Sequence, residues 1–108
     1  MAEEHDLKAI EDGIDEWRRR IDLLDEQLMR LLNSRAVCAV EIGRLKRLIG
    51  QPIYSPKREA WILERLMKEN TGPLEPLAVR RVFERIIDES RRLERISAKA
   101  EDDAGQEG

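Results

Sequence analysis

Residues 7–49 decide the fold, and they read LKAIEDGIDEWRRRIDLLDEQLMRLLNSRAVCAVEIGRLKRLI. Steps of three and four residues connect thirteen positions in this stretch, which alternate as the a and d positions of a heptad repeat. We refer to these thirteen positions as the seam: Leu7, Ile10, Ile14, Trp17, Ile21, Leu24, Leu28, Leu31, Arg35, Cys38, Ile42, Leu45 and Ile49. Only Arg35 is not apolar, and no proline interrupts the stretch. The pattern predicts one long helix with an apolar stripe.

The length of this helix predicts a partner chain. A helix over residues 7–49 would be about 65 Å long, since each residue adds about 1.5 Å. A compact domain of this size has a radius of gyration of only about 13 Å. The chain of 108 residues is therefore too small to cover the whole seam by itself, and a second chain is needed to bury it.

Turn residues divide the rest of the chain into two further helices. Ser55 followed by Pro56 is a typical helix start, with an N-cap and a proline at the first helical position. Gly50 suits a left-handed cap at the end of the first helix, and the stretch 70–73, NTGP, stops the second helix. The expected helices are 7–49, 56–69 and 76–97, which makes the fold all-α with one very long, one short and one medium helix.

The ends of the chain lack a helical pattern. We expect residues 1–6 to form a flexible leader, residues 7–97 to form one helical domain, and residues 98–108 to form a disordered acidic tail. Residues 1–6 have no apolar core, so we expect no signal peptide. No apolar run approaches the length of a membrane span, and the cytoplasm is the expected location.

Composition narrows the possible functions. The net charge is −3, but residues 35–99 carry 15 basic and 9 acidic side chains. This modest positive balance suits a small anionic ligand at least as well as nucleic acid, which usually binds a strongly basic domain. The chain also lacks a basic stripe with stacking aromatics, so we expect no nucleic-acid partner. Cys38 is the only cysteine and His5 the only histidine, so neither a disulfide framework nor a zinc site is expected. Because Cys38 lies on the seam, we expect it to be a small buried apolar residue.

Several polar residues interrupt the apolar faces of the three helices. Arg35 occupies a seam position, where it either sets the register of the helices or waits for an anionic ligand. Lys46 follows about three turns later on nearly the same face. Glu59 extends the inward face of the second helix, and Ser90 and Glu94 interrupt that of the third. Together these groups suit a pocket for a small, polyanionic, hydroxylated molecule.

Arg18 is a further cation, but it cannot reach that pocket from the same helix. It lies 17 residues before Arg35, which is roughly 25 Å along a helix axis. If Arg18 contributes to the pocket, it must come from the partner chain that the helix length already predicts.

Five ordered motifs resemble one known family over residues 14–93. They are IDxLDxxLxxLLxxR at 21–35, EIGxxK at 41–46, YSPxREAWIL at 54–63, NxGPL at 70–74 and FxxIIxxS at 83–90. The set resembles the all-α chorismate mutases, the AroQ class. It is most similar to the mutase domains that some bacteria fuse to prephenate dehydratase.

The resemblance implies an intertwined homodimer that converts chorismate to prephenate for phenylalanine and tyrosine biosynthesis, without cofactor or metal. It implies that Arg35, Arg58 and Arg18 from the partner chain bind the two carboxylates of chorismate, with help from Ser90. Further roles are implied for Glu59 at the ring hydroxyl, and for Lys46 and Glu94 at the ether oxygen. Ser55 stands where some relatives carry an aspartate near the ring hydroxyl, although its position as N-cap already explains it.

Glu94 is a departure from relatives that carry glutamine at this position. Only a protonated carboxyl can donate a hydrogen bond to the ether oxygen, so activity should fall as pH rises through the pKa of Glu94.

Two alternatives to a mutase stay open. One is an isochorismate pyruvate-lyase on the same fold, and the other is a non-catalytic helical dimer that regulates an enzyme of the shikimate pathway.

Overall fold

The computed structural model describes residues 3–107, with side chains for residues 3–105. Within these residues the chain forms three helices and no strand: α1 (Glu4–Leu48), α2 (Pro56–Glu69) and α3 (Pro76–Glu107). The all-α class that the sequence predicts is therefore confirmed. None of the three helices has a stretch that is both long enough and apolar enough to span a membrane.

Helix α1 ends through a hydrogen-bonded glycine cap. Gly50 has a φ of 70°, which is the left-handed conformation expected of it. The Gly50 N–H donates to the Arg47 carbonyl at 3.2 Å, and the Gln51 N–H donates to the Lys46 carbonyl at 2.8 Å. These two bonds satisfy carbonyls that the end of a helix would otherwise leave free. The turn sends the chain into the linker 49–55.

Helix α2 has the bounds that the sequence predicts. The Ser55 side chain accepts a hydrogen bond from the Arg58 N–H at 3.4 Å, and Pro56 occupies the first helical position. At the other end, the Asn70 N–H donates to the Leu66 carbonyl at 3.0 Å, and the Asn70 side chain donates to the Leu74 carbonyl at 2.6 Å. Both ends of α2 are therefore capped by the residues from which its bounds are predicted.

Helix α3 is longer than predicted. It continues to Glu107, through the segment predicted to be disordered beyond Ser97. Alanine and glutamate, which favour helix formation, are frequent in this segment, and Glu101 forms an ion pair with Arg47 of α1. Helix α1 likewise begins at Glu4, inside the predicted leader. Residues 1 and 2 of that leader and residue 108 of the predicted tail lie outside the described residues.

The chain divides into two units, residues 1–34 and residues 35–108. In the first unit no residue from 3 to 34 is buried. In the second unit α2 packs against α3, and the buried apolar residues are Ala39, Leu63, Val79 and Ile87. The apolar seam residues other than Cys38 are 46–69% exposed in both units. The seam is therefore an uncovered apolar surface of the single chain.

Within the second unit, small residues mark the buried face of α1. Ala39 and Gly43 are the buried residues of this helix, and a Cβ built on Gly43 would lie 3.2 Å from Cγ of Glu94 in α3. The seam residue Cys38 was expected to be buried, but it is exposed. Val82 and Ile96 of α3 are also exposed. The small residues are buried because they let the two helices approach closely.

Candidate active site

A cavity of about 220 Å³ lies in the second unit, between its part of α1, the linker 49–55, α2 and α3. Its apolar lining includes Ala39, Ile42, Ile53, Ile62 and Ile87, together with Cys38. The charged and hydroxyl groups that line it are Arg35, Lys46, Ser55, Arg58, Glu59, Ser90, Arg91 and Glu94. Seven of the eight residues predicted for the site therefore line one cavity, although they come from four different segments.

Arg35 and Ser90 form one side of the cavity. The Arg35 Nη1 donates to Ser90 Oγ at 2.7 Å, and Ser90 Oγ donates to the Ile86 carbonyl at 2.9 Å. The bond from Ser90 to the carbonyl four residues earlier is the local contact that such a serine favours. A guanidinium has five N–H donors in a planar fork, so Arg35 keeps donors for an anionic ligand. Although Arg35 occupies a position on the apolar seam, it therefore has a polar partner within the chain.

Lys46 joins the end of α1 to the linker. Its Nζ donates to the Ile53 carbonyl at 3.2 Å, and the side chain is half-buried. An ammonium group has three donors, so the remaining two can serve a ligand in the cavity. The Ile53 contact holds the ammonium group at the cavity wall.

Glu94 presents a buried carboxyl oxygen to the same region. Its Oε2 is buried and has no hydrogen-bond partner within the described residues. Burial raises the pKa of Glu94, although the nearby positive charges of Lys46 and Arg35 oppose this. A carboxyl with a raised pKa is protonated over a wider pH range and can then donate a hydrogen bond. The absence of a side chain at Gly43 gives Glu94 its place, since a Cβ there would lie 3.2 Å from Oε2.

Arg91 also lines the cavity, although the sequence did not predict it as a site residue. Its Nε lies 3.1 Å from Oε2 of Glu59, and its guanidinium lies 4.9 Å from the centre of the Tyr54 ring. The sequence carried one signal for this position, because Arg91 lies four residues after the buried Ile87 and therefore on the same helix face. Its contact with Glu59 of α2 depends on tertiary packing, which the sequence pattern does not reveal.

Arg58 lies at the boundary between two cavities. A second cavity of about 190 Å³ is lined by Arg35, Arg58, Arg65, Ile62, Leu66 and Phe83. Arg58 also stacks over the Trp61 ring, with 4.7 Å between its guanidinium carbon and the ring centre. Ser55, one turn before Arg58, is the N-cap of α2 as well as a lining residue. The start of α2 thus adds a further cation to the site.

Arg18 belongs to the first unit and is exposed. Its Nη1 lies 3.8 Å from Oδ1 of Asp15 one turn earlier, and it is not among the residues that line the cavity. Its contribution from a partner chain stays a prediction.

Among the described residues, one group could offer three metal ligands, namely Glu3, His5 and Asp6, and all three are exposed.

The charges of the cavity indicate what it can bind. Four cationic side chains and two carboxyl groups line it, so the balance is positive even when both carboxyls are ionised. Such a cavity can neutralise a small molecule with two negative charges, and its carboxyl groups can bind a hydroxyl. Donors aimed into a partly enclosed site can also stabilise negative charge that develops during a reaction.

Comparisons with known proteins agree on one family. Residues 17–95 match the family Chorismate mutase type II. A bifunctional chorismate mutase/prephenate dehydratase from Pseudomonas aeruginosa is 40% identical over 99 residues, which are 87% of this chain but 25% of that protein. The chain therefore spans about a quarter of the length of this relative.

Solved structures extend the comparison to the fold. The chorismate mutase of Thermus thermophilus, in its form II, is 37% identical with a TM-score of 0.76, over 77% of this chain and 94% of that one. The chorismate mutase of Helicobacter pylori, solved in complex with prephenate, is 31% identical with a TM-score of 0.76, over 82% of this chain and 96% of that one.

Proposed function

Because the chain belongs to the type II chorismate mutases, we propose that it is an enzyme that converts chorismate to prephenate. One observation carries the proposal: Arg35, Lys46, Arg58, Glu59 and Glu94 line a single cavity. The Helicobacter pylori structure, whose fold is similar, contains prephenate, which supports the same substrate class here.

The reaction explains why the cavity needs this set of groups. A Claisen rearrangement is unimolecular and requires neither a nucleophile nor a proton transfer from the enzyme. The substrate must be held in the folded conformer in which its two reacting carbons are close, which is a task of positioning. The ether bond to the ring breaks as the new carbon–carbon bond forms, and donors aimed at the ether oxygen stabilise its growing negative charge.

The seven predicted residues that line the cavity each have a role in this proposal. Arg35 and Arg58 bind the substrate carboxylates, with Ser90 holding Arg35 through their 2.7 Å hydrogen bond. Glu59 accepts a hydrogen bond from the ring hydroxyl. Lys46 and the protonated form of Glu94 donate to the ether oxygen. Ser55 caps α2 and lines the cavity, where it can contact the substrate.

The proposed enzyme is a homodimer that acts in the cytoplasm. The exposed apolar seam supports the dimer, because eleven seam residues at 46–69% exposure form an apolar patch that a stable monomer rarely leaves uncovered. Arg18 of the partner subunit supplies a further cation for the carboxylates. A lone cysteine and no disulfide are typical of a reducing compartment.

The direct test follows the loss of chorismate by its ultraviolet absorbance and identifies the product by chromatography. We expect prephenate to form much faster with the purified protein than in buffer alone, since chorismate rearranges slowly without enzyme. Isochorismate is tested in parallel. Salicylate and pyruvate from isochorismate, with little prephenate from chorismate, would assign the lyase reaction instead. No turnover of either compound would contradict an enzymatic role.

A further inference from the structure

We propose that Arg91 is a positioning residue, which holds Glu59 at the cavity wall and Tyr54 in the linker. The inference rests on the proposed function, since Glu59 is the residue that would accept the ring hydroxyl of the substrate. Arg91 itself need not touch the substrate. Its guanidinium joins three segments that build the cavity, because it extends from α3 to the linker and to the start of α2.

The ion pair between Arg91 and Glu59 is the first part of this connection. The Nε to Oε2 distance is 3.1 Å, and the side chains are only 25% and 20% exposed. Charges that are largely shielded from water attract each other more strongly than exposed ones. Arg91 faces Oε2 of Glu59, and the other carboxylate oxygen can accept a hydrogen bond from a ligand.

The Tyr54 contact is the second part. The Arg91 guanidinium carbon lies 4.9 Å from the centre of the Tyr54 ring, which is within the range of a cation–π interaction. Tyr54 lies between Ile53 and Ser55, which both line the cavity. The preceding residue, Ile53, accepts the hydrogen bond from Lys46 at 3.2 Å. Two cations therefore hold consecutive residues of the linker, one from α1 and one from α3.

The pair of Arg91 and Glu59 differs from the many surface ion pairs of the chain because both of its side chains are largely buried. The Arg91 Nε is buried and, despite its closeness to Glu59, is not aligned for a hydrogen bond. Asp88 also contacts the guanidinium, but Asp88 is exposed. If the guanidinium were removed, Glu59 would become an unpaired negative charge in a cavity that must accept a dianion. The repulsion would weaken substrate binding more than it would slow the rearrangement.

Kinetics of three variants test this role. Arg91→Met leaves an unbranched, uncharged side chain, Arg91→Lys keeps the charge without the planar fork, and Arg92→Met is the control. Arg92 is 72% exposed and pairs with Glu89 on the outer side of α3. We expect Arg91→Met to raise KM on the order of tenfold and to change kcat by less than about threefold. Arg91→Lys should recover part of the loss, and Arg92→Met should match the wild type.

A double-substitution cycle separates positioning from a general loss of packing. Glu59→Gln removes the charge that Arg91 holds. If Arg91 acts through Glu59, Arg91→Met should have little further effect on KM in the Glu59→Gln background, because contacting residues are not additive. An equal rise in KM in both backgrounds would overturn the inference, and so would an unchanged KM in Arg91→Met.

The remaining outcomes are also decisive. If Arg91→Met does not fold, Arg91→Lys carries the test, with a smaller rise in KM expected and an unchanged KM overturning the inference. If the wild-type protein converts chorismate and Arg91→Met behaves identically, the inference fails while the proposed function stands. A wild-type protein without turnover would overturn the proposed function and this inference with it.

Discussion

The seam of α1 carries the same heptad pattern in both units, but its chemistry changes at Arg35. From Leu7 to Leu31 every seam position in the first unit is apolar and exposed. In the second unit the seam begins with Arg35, which contacts Ser90, and continues with Cys38 and Ile42 at the cavity. The apolar heptad pattern therefore indicates a helix and the surface that a partner would cover, whereas the polar residue that interrupts it, Arg35, indicates the position of the candidate site.

The two interior glycines of α1 show the same contrast. A Cβ added at Gly13, in the first unit, would meet nothing within 4 Å. A Cβ added at Gly43, in the second unit, would lie 3.2 Å from both Cγ and Oε2 of Glu94. The same residue type is therefore dispensable in one unit and needed for a close approach in the other.

The largest effect is expected from Arg35→Ala. In the proposed site this guanidinium binds a substrate carboxylate, so kcat/KM should fall roughly 100-fold to 1,000-fold, as for other charge-stabilising donors. Arg30→Ala is the control, since Arg30 is exposed in the first unit of the same helix. Steady-state kinetics should show near wild-type activity for this control. Equal activity of the two variants would contradict the assignment of the site to the second unit.

The next largest effect is expected from Leu24→Lys, which places a charge in the seam of the first unit. Burying an unpaired ammonium between chains costs several kcal/mol, so the proposed dimer should dissociate and its specific activity should fall about tenfold or more at low protein concentration. Sedimentation and dilution assays measure both quantities. Leu23→Lys is the control, because Leu23 is similarly exposed but lies off the seam. A dimeric and fully active Leu24→Lys variant would contradict the assignment of the seam.

A pH-dependent effect is expected from Glu94→Gln. Burial raises the pKa of Glu94, and only the protonated acid donates to the ether oxygen. Wild-type kcat/KM should therefore be highest below this pKa and fall about tenfold per pH unit above it, if no other donor compensates. Glutamine cannot ionise, so the variant should be nearly independent of pH in this range. The idea fails if the wild type and the variant have the same pH profile.

The smallest effect is expected from Gly43→Ala. The new methyl group would push Glu94 by a few tenths of an ångström, which should lower kcat severalfold, since misplacement at a reacting centre is costly. Alanine favours a helix over glycine by about 1 kcal/mol, and the close contact of the new methyl group with Glu94 should offset this gain, so thermal stability should change little. Gly13→Ala should raise stability by roughly 0.5–1 kcal/mol and leave kcat unchanged. Thermal melts and kinetics on both variants would show whether Gly43 differs from Gly13.

The sequence predicted best where a local signal is sufficient. The bounds of α2 follow from Ser55, Pro56 and the NTGP stop, and the positive φ of Gly50 follows from its place after the last helical turn. These features depend on interactions among residues close in the chain. The inward positions of Arg35 and Glu94 could also be predicted, because a polar residue stands out on an apolar helix face.

The sequence predicted less where tertiary packing decides the outcome. The helical segment after Ser97 has no apolar periodicity, and its ion pair with Arg47 joins residues 54 positions apart. Cys38 is exposed because the buried face of α1 in the second unit carries Ala39 and Gly43. The contact of Arg91 with Glu59 joins α3 to α2. None of these pairings follows from spacing within a single helix.

The most direct test of the account is the activity of a heterodimer in which one chain carries Arg18→Ala and the other Arg35→Ala. Each variant alone should be nearly inactive, because both of its sites lack one arginine. In the heterodimer, the chain with intact Arg35 receives Arg18 of the partner subunit, and one of the two sites is complete. With two affinity tags to purify the mixed dimer, the account predicts about half of the wild-type turnover of chorismate. A mixed dimer as inactive as its parents would contradict it.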